Sequence, residues 1–435
     1  MHVICQQESL ALVLQAMSKL AQTKAAKCGA LLTASRQSRS PGGILTLLGI
    51  GMEGAAGMMK QVQAVVEQEG KVLVPIAPLA EYVSTLRPGE LTLHRQTAWR
   101  RRGASAPEGP VLLRIESARK SASGTLTTNR AIYKAVENDQ PMPSVSGWLS
   151  TSSRIASVPA QLFREAIAVC AKLSTRRNVA PEMRGVLVHI EAGHMRLVST
   201  TGLLLASYQL SLVGEAACSF TGLFEGHALS WIGHLLPREG MLDLSLAKDE
   251  QGEVLLLVMP QMTLFCRAMP APLPTTWEPT LQTPHQVELE IGRRDLVRAL
   301  KFFAAASLKG QQALSVEGAT LIMQHRVKDD APISGEWTLP LLHSAPHFHC
   351  LLHPGWLKRL VGETTGERVA LHFGSFERFR DEERETVSFA RLATARTTLM
   401  MSISDLHQLT ADLPDVSSAQ DTAPGHEQMD AVPSL

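Results

Sequence analysis

A run of alternating apolar residues in the middle of the chain, residues 184–210, limits the folds open to it more than any other feature. Apolar side chains alternate along 186–190 and again along 195–199, with Ala192-Gly193 between the two stretches. A period of two on both sides of a turn predicts a half-buried β-hairpin. Gly202 then allows the chain to reverse into a third apolar strand. We therefore expect antiparallel β structure here.

Amphipathic helices recur along the chain at intervals of roughly 140 residues. They are predicted to begin near Ser9, Pro159 and Arg293, each with apolar residues at helical spacing on one face. A second helix in each interval ends in a turn before an alternating strand. Those turns lie at residues 86–90, 236–240 and 362–367. The pattern predicts an α+β chain of three repeated domains, each with two helices packed on antiparallel sheets.

Two Pro-rich stretches, residues 139–147 and 271–285, have the composition of linkers. These linkers mark the boundaries between the predicted domains. The domains are expected at 1–148, 149–283 and 284–412. The remaining residues, 413–435, contain four acidic side chains and no Lys or Arg among Pro, Ser and Gln. This composition predicts a disordered acidic tail.

Two polar, basic insertions lie in the first predicted domain, at residues 99–110 and 119–124. Their composition predicts mobile loops. The run Arg100-Arg101-Arg102 fits either a solvated loop or a contact to nucleic acid, and the sequence leaves both open.

Composition bounds the class of protein. The chain has 435 residues, 45% of them apolar, and its net charge is +1, so no global basic field indicates a nucleic-acid partner and none excludes it. The six cysteines include no C-x-x-C pair, which favours reduced thiols in a cytoplasm over a disulfide framework. Neither an apolar run of membrane-spanning length nor a leader segment is present. We expect a soluble cytoplasmic protein.

A glycine pattern near the start raises an enzymatic alternative. A strand at 44–48 is followed by Gly49, Gly51 and Gly54, and Glu67 or Glu69 follows at a plausible distance. Such a pattern is typical of a dinucleotide site when a helix follows the glycines. The other interpretation is a strand that turns at the glycines and returns as a second strand.

A histidine cluster raises the possibility of a metal site. It consists of His343, His347, His349, Cys350 and His353. Histidine and cysteine can hold zinc, but no second Cys/His pair stands nearby to complete a tetrahedron. No metal or other cofactor is predicted. Since no catalytic motif is present either, the chain is not expected to be an enzyme.

The strands around Gly202 carry the most specific family resemblance. Two stretches are similar to motifs of the bacterial sliding clamp, the beta subunit of DNA polymerase III. They are Met183-Arg184-Gly185-Val186-Leu187 and Ser199-Thr200-Thr201-Gly202-Leu203-Leu204-Leu205-Ala206. In that family the second motif is Thr-Asp-Gly-His-Arg-Leu-Ala. Residues 47–53 resemble its Leu-Thr-Gly-Thr-Asp-Leu-Glu, and Met142-Pro143 and Leu273-Pro274 stand where it has Phe-Pro. The likeness extends to about residue 412.

The resemblance implies a ring of head-to-tail subunits whose helices line a hole around duplex DNA and which tethers a DNA polymerase. It assigns phosphate contacts, without base recognition, to cations on the polar helix faces. These are Lys19, Arg164, Lys172, Arg294, Arg298 and Lys301. The last three recur at i, i+4 and i+7 on one helix face. The alternative is a clamp-like scaffold that binds a partner protein without encircling DNA.

The resemblance also implies a pocket between the second and third domains for short linear peptides of polymerases and clamp loaders. Its residues would be Met183, Thr200, Gly202, Leu203, Leu205, Pro274 and Met401. Where the family buries an apolar pair at ring closure, this chain has Ala306-Ser307, and the facing strand near 121–126 is polar. A homodimer ring is therefore expected to associate weakly, because a specific interface needs an apolar centre.

Overall fold

The protein consists of two compact units, Met1–Trp277 and Glu278–Leu435. The computed structural model describes residues 1–22, 29–36, 42–51, 54–97, 110–120, 126–136, 142–174, 180–191, 193–202, 204–214, 218–272, 277–305, 312–325, 335–345, 347–352, 357–358, 361–362, 366–380 and 383–403. Among these residues, no helix is long and apolar enough to cross a bilayer.

The first unit contains two successive sets of helices and strands. The first set is β1 His2–Gln6, α1 Gln7–Ser18, β2 Gly29–Arg36, β3 Gly43–Gly51, β4 Ala56–Gln68, β5 Gly70–Pro75, α2 Ile76–Thr85, β6 Glu90–Thr97, β7 Val111–Lys120 and β8 Leu126–Lys134. The second is α3 Val145–Thr151, β9 Ser153–Pro159, α4 Ala160–Ser174, β10 Gly185–Glu191, β11 His194–Thr200, β12 Leu204–Ser211, β13 Phe220–Glu225, α5 Gly226–Leu235, β14 Met241–Asp249, β15 Gly252–Met259 and β16 Met262–Arg267. Short 3-10 helices lie at Lys19–Gln22 and Pro181–Arg184.

A short helix in the second predicted linker lies at the start of the second unit. Its elements are α6, which starts at the unit boundary as Trp277–Gln282, then β17 Val287–Gly292, α7 Arg293–Ala305, β18 Gln312–Glu317, β19 Thr320–His325, β20 Gly335–Pro340, β21 Phe348–Leu352, β22 Arg368–Arg380, β23 Glu383–Ala393 and β24 Thr397–Ile403.

The order of elements repeats along the chain. Strand, helix, four strands, helix and three strands occur twice in the first unit, and the second unit begins the same way with β17, α7 and β18–β21. Equivalent strands also pair equivalently: β1 with β6, β9 with β14 and β17 with β22, all antiparallel. The predicted α+β class with helices and antiparallel sheets is confirmed. The exact domain limits stay a prediction.

One continuous sheet joins the two repeats of the first unit. Its twelve strands include the path β8-β7-β6-β1-β4-β16-β15-β14-β9, so β4 of the first repeat pairs with β16 of the second. Gly57 faces Phe265 at this junction, and a Cβ at position 57 would lie 2.1 Å from the Phe265 ring. Trp148 packs edge-on against Phe265 with ring centroids 5.2 Å apart. Position 57 therefore has to be glycine for β4 to pack this closely against the Phe265 ring of β16.

The predicted hairpin within residues 184–210 is more deeply buried than predicted. Strands β10, β11 and β12 pair in order, as expected. However, Leu187 is as buried as Val186 and Val188, so both faces of β10 are covered. Helix α4 packs on this sheet, where the Ser199 hydroxyl donates to the Cys170 carbonyl at 2.8 Å. Toward the end of the strand, the Trp277 ring lies 6.0 Å from that of His189.

Three local predictions need correction. The first helix is α1 at Gln7–Ser18, followed by a 3-10 turn, and begins earlier than Ser9. Helix α3 begins within the first predicted linker, and the second contains the short helix α6. Strand β7 continues to Lys120, because it pairs with β8 as far as Leu126, so the second insertion begins later than predicted. The run Arg100–Arg102 and the tail at 413–435 lie outside the described residues.

Candidate functional site

Helix α7 presents one charged and one apolar face. Arg294, Arg298 and Lys301 are all exposed. On the other side Leu296, Leu300 and Phe303 are at most 1% exposed. The spacing of three and four residues puts each set on its own face of the helix. The sequence prediction of a basic stripe opposite the packed face therefore matches the burial of these side chains.

The cations of this stripe are weakly engaged with neighbouring groups. Arg298 approaches the Asp295 carboxylate at 3.8 Å, and its side chain remains 72% exposed. Among the described residues, no carboxylate lies within 4.0 Å of Arg294 or Lys301. An exposed pair as long as that of Arg298 contributes little stability. The stripe is thus available for an anionic partner.

The helices of the first unit form a continuous row. Helices α1 and α2 pack together, and so do α4 and α5. Gly233 of α5 allows a close crossing, since a Cβ there would lie 2.9 Å from Ile167 of α4. The indole nitrogen of Trp231 in α5 donates to the Ala16 carbonyl of α1 at 3.3 Å. The order across the row is α2, α1, α5, α4.

This row carries fewer cations than α7. Lys19 and Lys172 are exposed, whereas Arg164 is only half-exposed. Helices α1, α2 and α5 contain no Lys or Arg. Leu12, on α1, is 69% exposed. Each unit therefore contains three of the six predicted DNA-binding residues, which lie on two elements in the first unit and on one helix in the second.

Four of the seven predicted peptide-pocket residues lie together in the first unit. The Met183 methyl group is 3.3 Å from where a Cβ at Gly202 would stand. The backbone N–H of Gly202 donates to the Thr200 hydroxyl at 3.1 Å, and Thr200 is opposite Leu205 on the neighbouring strand. Gly202 has φ of +81°, a conformation that favours glycine.

The other three pocket residues are placed less completely. Met401 is buried on β24 of the second unit, opposite Ala390. Leu203 and Pro274 lie outside the described residues, as do Ala306-Ser307. The pocket assignment as a whole stays a prediction.

The glycines of the dinucleotide alternative lie in a β-hairpin. Strand β3 contains Gly49 and Gly51, which pair with Met58 and Ala56 of β4. Gly54 has φ of +93° in the connection. A dinucleotide site needs a helix N-terminus after the glycines to receive the phosphates, and here a strand follows. The dinucleotide interpretation is therefore wrong, and the strand turn is correct.

The cysteines that the structure describes are mostly buried thiols. Burial raises the pKa of Cys5 to about 12 and also raises the pKa of Cys170, Cys266 and Cys350. A thiol that stays protonated is a poor nucleophile and a poor metal ligand. Cys350 of the histidine cluster is buried, while His347 and His349 have ring centroids 4.6 Å apart.

Sequence reasoning missed two groups of side chains in the second unit. Phe302 of α7 is 38% exposed and lies 5.1 Å, centroid to centroid, from Trp337 on the edge strand β20. His285, Glu288 and His372 also come together, although no local motif connects them.

Solved structures of bacterial replication clamps share this arrangement over almost the whole chain. The DNA polymerase sliding clamp from Bacillus subtilis matches with a TM-score of 0.72 at 13% identity, covering 93% of this chain and 99% of that one. The DNA polymerase III subunit beta from Pseudomonas aeruginosa gives 0.72 at 16% identity, covering 93% of this chain and 100% of that one. This chain has the sliding-clamp fold. The beta subunit from the DNA polymerase of Streptococcus pyogenes gives 0.70 at 13% identity, with 93% and 99% covered.

The match is one of structure. No family model matches the sequence, and no curated protein matches it. The family resemblance seen in the sequence is confirmed at the level of the clamp fold.

Proposed function

We propose that this chain is a sliding-clamp-like processivity factor, not an enzyme, which encircles duplex DNA in the cytoplasm and tethers a DNA polymerase. Beyond the clamp fold, the observation that carries the proposal is the exposed stripe Arg294, Arg298 and Lys301 on α7. Long cationic side chains hold phosphates without reading bases. This suits a protein that has to move along any sequence.

Ring closure by a second copy is supported by two open sheet edges. Strand β8 ends the twelve-stranded sheet, and β20 ends the four-stranded sheet of the second unit. Open edges expose backbone groups that can pair with another chain. Exposed apolar groups lie at both edges: Ile132 on β8 is 53% exposed, and Phe302 packs with Trp337 beside β20. Pairing β20 of one copy with β8 of the next would cover them, and such head-to-tail contacts form rings when they close.

The proposed ring should associate weakly, because the aromatic pair is small for a specific interface of about 1,600 Å². Sedimentation over a concentration series measures this. Trp337→Ser should weaken association further, whereas Met241→Ser, at an exposed methionine on β14, should not change it. A dimer that persists at nanomolar concentration in the Trp337→Ser variant contradicts this closure.

The tether part of the proposal assigns peptide binding to the pocket residues around Gly202. Met183 is only partly buried, so its side chain is accessible to an apolar anchor of a polymerase or loader peptide. Such anchors provide most of the binding energy. Met183→Asp should abolish the anisotropy change of a labelled clamp-binding peptide, and Met241→Asp should preserve it. Equal binding by both variants would remove Met183 from the pocket.

Encirclement is tested by topology. The protein is mixed with a nicked circular plasmid or with the same plasmid linearised, and DNA-bound protein is isolated by gel filtration at moderate salt. A ring that surrounds DNA stays on the circle and slides off the ends of the linear form. Equal retention on the two forms would contradict encirclement.

The alternative is a clamp-like scaffold that binds a partner protein without encircling DNA. The absence of Lys and Arg from α1, α2 and α5 favours it, since a hole lined by these helices offers few phosphate contacts. The scaffold binds the peptide but is not retained on circular DNA. The two assays together therefore separate the functions.

A further inference from the structure

A polar cluster lies on one face of the β17–β22 sheet in the second unit. Glu288 on β17 is directly opposite His372 on β22. Their neighbours Leu289 and Leu371 are buried. Because successive strand residues point to opposite faces, Glu288 and His372 share the face away from that buried layer.

His285 completes the cluster from the segment just before β17. Its ring meets the His372 ring edge-on, with centroids 4.4 Å apart. Its Nε2 lies 3.6 Å from Oε2 of Glu288. One potential ligand atom from each of the three residues lies within 4.8 Å of the other two.

We infer that His285, Glu288 and His372 form a binding site for a divalent transition-metal ion, with zinc as the best match. Two imidazoles and one carboxylate are a zinc donor set that leaves a fourth position open. Bonds of about 2.0–2.1 Å need ligand atoms about 3.4 Å apart, so the ligand atoms have to approach one another by up to about 1.4 Å. His285 and Glu288 are exposed, so solvent leaves room for this movement of their side chains.

His372 provides a second, independent observation. Its Nδ1 is buried and has no hydrogen-bond partner among the described residues. A buried polar atom without a partner is costly, and coordination of an ion through this nitrogen would remove that cost. This inference is independent of DNA binding and of the proposed function.

Arg391 contacts His285, one of the three residues of the cluster. Its Nη1 donates to the carbonyls of Leu281 at 3.3 Å and Thr283 at 3.0 Å, and its Nη2 donates to Nδ1 of His285 at 2.9 Å. Since arginine only donates, His285 carries its proton on Nε2 in this arrangement. Coordination through Nε2 moves that proton to Nδ1 and releases the Arg391 contact, while both carbonyl bonds remain.

The test is zinc binding by the full-length protein, measured by calorimetry after treatment with a chelator. The expected result is one ion per chain at the tightest site and a rise in the unfolding temperature. His372→Ala and Glu288→Gln should each weaken that binding by at least about tenfold. The matched control is His347→Ala, which disrupts the other close histidine pair and should leave the tight site unchanged.

The contradicting results are equally specific. No saturable zinc binding at tens of micromolar, or loss of binding in His347→Ala with none in His372→Ala, overturns the proposal. Glu288→Gln guards against misfolding, because this side chain is exposed and the change keeps its shape. Circular dichroism of each metal-free variant verifies the fold, and a folded Glu288→Gln that binds zinc like the wild type also overturns the site.

Discussion

The basic residues of the first unit and those of α7 are held in different ways. Arg267, on β16, donates from both Nη atoms to the Asp249 carboxylate at 2.5 and 2.8 Å, and its side chain is only 15% exposed. On β7, Arg114 pairs with Glu116, which also accepts from Arg130. In α7, Arg298 has only a 3.8 Å contact and is 72% exposed.

The difference separates charges that stabilise the fold from charges that remain available. In the half-buried pair Arg267–Asp249, both Nη atoms of the arginine already donate to the carboxylate. Helix α7 has four basic residues and one acidic residue, and its exposed cations can exchange water and counterions for phosphates. Basic residues such as Arg267 thus stabilise the fold of the first unit, whereas those exposed on α7 are the ones that we propose bind DNA.

The largest effect is expected where α7 is anchored. Phe303→Ala removes a side chain that is 0% exposed and should cost about 3–5 kcal/mol of stability. Urea denaturation measures the loss. The control is Leu12→Ala on α1, where an exposed side chain should change stability by no more than about 0.5 kcal/mol. Equal costs at both positions would mean that the apolar face of α7 does not hold the helix.

An intermediate effect is expected from a matched pair of aspartates. Asp249→Asn breaks the half-buried ion pair with Arg267 and should lower the free energy of unfolding by about 1.5–3 kcal/mol. Asp295→Asn removes only the long, exposed contact to Arg298 and should lower it by less than about 0.5 kcal/mol. The hydrogen bond from Arg267 holds the pKa of Asp249 below its ordinary value of 3.8.

The sign of the pH dependence follows from that lowered pKa. The unfolded chain binds the proton first, so the contribution of Asp249 is complete above the ordinary pKa and is lost as the pH falls through the folded one. The stability gap between wild type and Asp249→Asn should therefore narrow only in acid. A gap that stays constant down to pH 2 would contradict the ion pair as its cause.

The smallest effect concerns the cations on the helices of the first unit. Replacing Lys19, Arg164 and Lys172 with Glu should reduce the log-log salt slope of duplex binding by about two, less than for the three exposed cations of α7, because Arg164 is only half-exposed. Fluorescence anisotropy at several salt concentrations measures the slope. A reduction as large as that for α7 would show that both units contribute equally to DNA binding.

The sequence predicted much of the fold because its patterns are local. Helical spacing predicted where α4 and α7 begin to within about one residue, and alternation predicted the positions of β10 and β11. Burial on both faces of β10 was not predicted, because the groups that cover it come from distant elements such as Trp277. The same holds for the glycine pattern, where only the pairing of β3 with β4 distinguishes a hairpin from a nucleotide loop.

The candidate sites were predictable to different degrees. The stripe on α7 follows from three cations at helical spacing within one element. The cluster of His285, Glu288 and His372 depends on the register between β17 and β22, which no local pattern specifies. Phe302 was also missed, since its exposure beside Trp337 depends on where β20 lies against α7.

Salt-dependent duplex binding of the variant Arg294→Glu, Arg298→Glu, Lys301→Glu tests the central claim most directly. The buried face of α7 is unchanged, so the variant should fold. The wild type should bind weakly, without sequence preference and with steep salt dependence, and the triple variant should lose about 0.9 from the log-log slope for each removed contact. An unchanged affinity and slope would show that α7 does not face DNA, and the scaffold function would then be favoured.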